Sequence, residues 1–378
     1  MKNTKNKMNH DLKYSIFEKF FSPKSYVINK PGVIINKLSR RYSSKSIRKR
    51  IVYYFEDIIT NLQIETINKI GEKETRELWY KIGKDSGFRY VSASETKAIN
   101  PNVLPMVIKN IFFNLKSAGM SSYENINFDH KNKILKLSGE DNIVSRKTGI
   151  SETFHGIASG ILSGLTRNNI ECSESDDGKS IICKIQQSKN DPPRYILDTK
   201  KLKPIKNYNK LNFNNKVEIG KEKSSYSDLI KFKKINFDKS GKIYFLENCI
   251  SPAAPEFLGI IIKQYLDINK KDILENGISN GSRKLAKQIL LDKKEIKDKI
   301  KSFESLLSAL GYGIPSIKKE KLEIKVSLAN YPIDKNHELY YAYFIKGFLE
   351  NIYDKKLKVI KLEENIKSNP MKMIIIYS

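Results

Sequence analysis

The sequence predicts a mixed α/β (α+β) protein of two tandem domains, each an antiparallel sheet packed against helices. Three observations carry this. Apolar residues recur at helical spacing in some segments and at a period of two in others. These segments follow one order, helix–glycine–hairpin–helix–hairpin, and that order occurs twice. The 378 residues exceed one ordinary single-core domain, and 39% hydrophobic residues are enough to fill real cores.

Residues 1–46 read as a polar, basic arm, with Pro23, Pro31 and Gly32 punctuating two short apolar runs. The spacing of Ile51, Tyr54, Phe55, Ile58, Ile59 and Leu62 predicts a first helix. A second runs from about Glu72 through Leu78, Trp79 and Ile82. Pro101 and Pro105 open a third, Val107 to Lys116, and Gly119 stops it as a C-terminal glycine does. The period then shortens to two. Ile126–Phe128 and Ile134–Leu137 read as strands around the turn at 129–132. A polar loop over 139–150 leads to a helix from Ser151 through Phe154, Ile157, Ile161 and Leu165. Ile170–Cys172 and Ile181–Ile185 form a closing hairpin, so residues 47–186 make the first domain.

Residues 187–250 read as a basic connector that contributes edge strands at Tyr195–Leu197 and Ile243–Leu246. The pattern then returns over 251–378. Phe257–Leu266, Gly277–Leu291 and Ile300–Leu310 are helical, and Gly311 takes the place of Gly119. The strand at 321–328, the helix at 338–352 and the strands Leu357–Leu362 and Met371–Tyr377 complete the second copy. A tandem duplication accounts for this order.

Glycines and apolar periodicity carry a family resemblance. In the first copy these are Gly71, Trp79, Gly83, Gly119, the helix at 156–165, and Cys172 with Cys183. In the second they are Gly281, Gly311, Gly347 to Glu350 and the strand at 373–378. Over residues 50–185 and 252–378 the chain resembles the 4-vinyl-reductase domain. That family is similar to the sensor domain of aromatic-responsive activators and to the Bet-three-type subunits of a tethering complex. The resemblance implies domains enclosing a hydrophobic cavity for a small apolar molecule or an acyl chain, acting as sensors or scaffolds. It also implies that paired cysteines of the closing hairpin help hold zinc. Here Cys172 and Cys183 stand further apart than the family's pair, and the second copy has no cysteine in that hairpin.

The candidate ligand pocket of the first domain is lined by Trp79, Phe112, Phe113, Phe154, His155, Ile157 and Gly160. Gly156, Gly160 and Gly164 fall on one helical face. Each costs about 1 kcal/mol against alanine in a helix, so the stripe implies a close neighbour: a strand, another helix or a bound molecule. Cys172 and Cys183 are candidate zinc ligands, with Glu171, Glu174 or His155 completing the shell, or else buried thiols. Arg40, Arg41, Arg48 and Arg50 are candidate phosphate-binding residues or a solvated approach to the first helix. Residues 1–50 hold 14 Lys/Arg against 2 Asp/Glu and 185–250 hold 15 against 7, whereas 51–184 are balanced at 17 each, so a basic arm and a basic connector flank a neutral domain.

No apolar run is long enough for a bilayer span, because Lys263 breaks the stretch that begins at Phe257. The first residues lack an apolar signal segment, and three cysteines fit a reducing cytoplasm. No phosphate-binding glycine loop, HExxH or GxSxG motif occurs. The expectation is therefore a cytoplasmic, non-enzymatic protein that binds or senses a small hydrophobic ligand. The alternatives are a nucleic-acid-associated regulator, homodimeric and docked by its basic arm, or an assembly scaffold.

Overall fold

The computed structural model describes residues 26–37, 48–92, 103–120, 122–129, 132, 134–140, 142–174, 180–184, 224–238, 241–332, 338–364 and 370–377. The N-terminal half starts with strands β1 (Tyr26–Lys30), β2 (Val33–Lys37) and β3 (Arg48–Phe55). Helices α1 (Glu56–Ile70), α2 (Glu72–Ser92) and α3 (Leu104–Ser117) follow. Hairpin β4 (Ser122–Asp129)–β5 (Ile134–Glu140), helix α4 (Glu152–Thr166) and hairpin β6 (Cys172–Glu174)–β7 (Ser180–Lys184) close it.

The C-terminal half opens with α5 (Tyr226–Lys231), then β8 (Ile235–Phe237), β9 (Ile243–Phe245) and β10 (Asn248–Ala253). It continues with α6 (Pro255–Asp267), α7 (Lys271–Ile289) and α8 (Ile296–Ala309). Strands β11 (Ile314–Glu320) and β12 (Glu323–Ala329), helix α9 (Glu338–Tyr353), β13 (Leu357–Glu364) and β14 (Pro370–Tyr377) end it.

Among the described residues all strand pairs are antiparallel. The mixed class with antiparallel sheets against helices is therefore the fold. Two four-stranded sheets share one order, β4-β5-β7-β6 and β11-β12-β14-β13. The third sheet, β1-β2-β3-β10-β9-β8, takes three strands from each half and joins them where β3 pairs with β10.

Three sequence readings need correction. Residues 51–55, read as the start of a helix, are strand, and the helix begins at Glu56. A continuous apolar run satisfies either period, and only its neighbours decide. Here β3 lies between β2 and β10, and Val52 to Phe55 are fully buried. Second, residues 26–37 are not arm. They form a hairpin in the shared sheet, with Val33, Ile34 and Ile35 fully buried. Third, residues 224–250 are more than a connector with edge strands. They supply α5, β8, β9 and the central strand β10; the strand expected at 195–197 lies outside the described residues. Helix α5 starts in a capping box: the Asp228 N–H donates to Ser225 Oγ (3.3 Å) and the Ser225 N–H to Asp228 Oδ2 (2.7 Å).

The halves interlock through their hairpin tips. The β1–β2 turn docks where α8 meets β11: the Gly32 N–H donates to Ser308 O (2.8 Å) and the Gly313 N–H to Gly32 O (3.0 Å). Conversely, a Cβ at Gly119, where α3 leads to β4, would stand 2.9 Å from Gly241 O in the β8–β9 turn. One large hydrophobic cluster runs through the shared sheet, α1, part of α2 and the whole C-terminal half. A second, smaller one is confined to residues 91–183. No helix among the described residues is long and apolar enough to cross a membrane.

Candidate functional site

Helices α2 and α4 cross at backbone contact. A Cβ on Gly156 would stand 2.1 Å from Tyr80 O, and one on Gly160 would stand 2.0 Å from Lys84 O. From the other side, a Cβ on Gly83 would stand 2.1 Å from Thr153 O and one on Gly87 2.2 Å from Ile157 O. The neighbour implied by the glycine stripe is therefore another helix. The space in front of Gly160 is filled by the backbone of α2, so Gly160 does not face a ligand.

This crossing pushes the polar stripe Arg76, Tyr80 and Lys84 of α2 against α4 and the β6 hairpin. Arg76 Nη1 donates to both carboxylate oxygens of Glu152 (2.9 and 2.8 Å), and its Nη2 to Glu72 (2.7 Å). Those bonds hold the guanidinium pKa above its ordinary value. Lys84 donates to Asn169 Oδ1 (2.8 Å) and to Glu171 Oε1. Tyr80 donates its hydroxyl proton to Glu171 Oε2 and accepts from the Cys172 N–H (3.4 Å). Burial, then the bond to Glu171, pushes the Tyr80 hydroxyl up to about 12, so it stays a donor at neutral pH. Beside Arg76, Tyr80 and Glu171 opens a cleft of about 750 Å³, walled by α2, Glu152 and the Glu171–Cys172 step; Lys84 reaches it only through Glu171.

Cys172 and Cys183 are directly opposite on β6 and β7, with Cα atoms 4.3 Å apart, and are joined as a disulfide. In this form neither sulfur is a thiolate, which zinc requires. No group of three or more His, Cys, Asp or Glu side chains among the described residues is arranged to hold a metal. The residues present therefore do not fit the zinc expected of this pair. His155 is buried, and desolvation lowers its pKa despite the opposing pull of Glu152 and Glu174.

The predicted pocket residues divide. Phe112, Phe154 and Ile157 share the smaller core, with Phe112 edge-on to Phe154 at 6.3 Å. Trp79 belongs instead to the large core. The side chain of Phe113 lies outside the described residues. Among the phosphate-binding candidates, Arg50 is buried. Its Nη2 donates to Gly32 O (2.7 Å) and Gly311 O (3.3 Å), binding the two halves together where no phosphate reaches. Burial pulls its pKa down to about 10. Arg40, Arg41 and the Arg48 side chain lie outside the described residues.

Sequence reasoning missed Tyr80, Lys84 and Arg76, and named Glu171 only as a completing zinc ligand. Two signals were there: Gly83 and Gly87 sit four apart on α2, matching the spacing on α4, and 76, 80 and 84 share one helical face. Compared with known proteins, the chain matches no protein-family model and no curated protein.

Proposed function

We propose that each half is a 4-vinyl-reductase-like unit and that the chain is a non-enzymatic binding or sensing protein whose N-terminal half takes a small, largely apolar ligand. One observation carries this reading: the element order occurs twice, but the cleft, the glycine crossing and the disulfide all lie in the N-terminal half. In the C-terminal half stacked aromatics pack α8 and the turn after it against α9, Phe303 on Phe348 at 4.3 Å and Tyr312 beside Phe344 at 5.4 Å. On this reading the C-terminal half acts as the solid partner, and the two halves pair through β3 and β10 as the protomers of a dimer would.

The ligand lies in the cleft on the Tyr80 ring and the aliphatic stems of α2. Burial of its apolar surface drives binding at about 25 cal/mol per Å². Native mass spectrometry of the full chain, together with thermal shift against neutral aromatics, alcohols and lipids, tests the reading. Binding of at least one probe is expected, and Tyr80→Ala abolishes it. A chain that binds none, or binds equally well after that change, overturns it.

A further inference from the structure

The site is already occupied by a group of the protein's own. The Lys84 side chain is only 7% exposed, and among the described residues its polar contacts are Asn169 and Glu171. Glu171 is 60% exposed and stands just ahead of β6, a three-residue strand at the edge of its sheet that, among the described residues, pairs with β7. Lys84 is buried and Tyr80 half-buried, whereas the acceptor sits on the rim.

We infer that the cleft recognises a carboxylate, and that Glu171 is an internal stand-in which a ligand carboxylate displaces. This rests on reading the cleft as the binding site. The geometry is that of a carboxylate template: one oxygen of Glu171 takes the Tyr80 hydroxyl and the other takes Lys84. A buried ammonium cannot be left without an anion. Exchanging one carboxylate for another keeps the ion pair, whereas a neutral ligand that moves Glu171 away strands the charge. The outer rim gives no competing preference, because Lys73 and Lys81 are offset by Glu72 and Glu77. With the Tyr80 ring beside the donors, the fitting ligand is an amphipathic carboxylic acid, its head on Lys84 and Tyr80 and its body along the cleft.

Isothermal titration of the full chain with octanoate and benzoate, against octanamide and benzamide, tests this. The acids are expected to bind at least tenfold more tightly than their amides. Glu171→Gln removes the competing charge and should tighten octanoate binding at least tenfold. Lys84→Met should weaken it by a similar factor, and Tyr80→Phe gives the same sign should the lysine variant fail to fold. Equal affinity for acid and amide, or no gain from Glu171→Gln, overturns the inference. Binding of the amides but not the acids overturns it and leaves the proposed function standing. Binding of no probe, charged or neutral, overturns both.

Discussion

The two halves run through one order of strands and helices and close the same helix pair at backbone contact with different residues. In the N-terminal half α2 and α4 meet backbone to backbone, with glycines on both helices. In the C-terminal half, α9 brings one glycine to its crossing with α7, Gly347, whose Cβ would stand 2.2 Å from Ser279 O. Aromatic side chains on α8 and α9 stack on one another and belong to the large core. Both helix pairs therefore meet at backbone contact, and the halves differ in the side chains around the crossing and in the core those side chains join. The closing hairpins differ in the same sense, since only the first holds a disulfide.

This contrast can be broken or sharpened by experiment. The largest effect is expected from Phe348→Ala in the solid half. The ring is fully buried and stacked on Phe303, so a cavity should cost about 4 kcal/mol, read as a lower urea midpoint. Gly160→Ala attacks the other half by overpacking. The new methyl meets the backbone at Lys84, so the helices must part, and a loss of about 3 kcal/mol is expected. A fall below about 1 kcal/mol would mean that the crossing is looser than described.

Reduction of the Cys172–Cys183 bond frees a loop of 11 residues' separation and should lower stability by about 2–3 kcal/mol. A thermal scan with and without reductant reads this, and the Cys172→Ser/Cys183→Ser double variant should be insensitive to reductant. The smallest effect is a pH dependence at His155. Its folded pKa lies below the ordinary value, so the folded state resists protonation. Stability should be constant above the ordinary histidine range and decline as pH falls from there through the lowered pKa. His155→Gln should flatten that limb of the stability–pH curve.

Much of this architecture was legible from local pattern. Gly119, with φ of +73°, ends α3 as its position implies, and the alternation in β4 and β5 marks the hairpin. The residues that escaped depend on distant partners. Ile51 to Phe55 read equally as helix or strand until β2 and β10 are placed on either side. Val33 to Ile35 look like a short apolar run in a basic arm, although their burial depends on residues some 280 positions away at the α8–β11 junction. Arg50 reads as one of a surface cluster because charge is counted along the chain, while its guanidinium binds carbonyls of both halves. In the site, the glycine spacing implied a close neighbour but could not say which one. Glu171, in turn, is an ordinary acidic residue until the helix crossing brings Lys84 beneath it.

The sequence by itself determined the class, the repeated order of elements and the position of most helices and hairpins. Those follow from periodicity and from glycine and proline chemistry, which act over a few residues. Only the tertiary structure decided that the halves share a sheet, that two glycine faces close on each other, and that a carboxylate comes to rest on a buried ammonium. Such outcomes are set by volume and charge between segments far apart in the chain, where no local pattern records the partner.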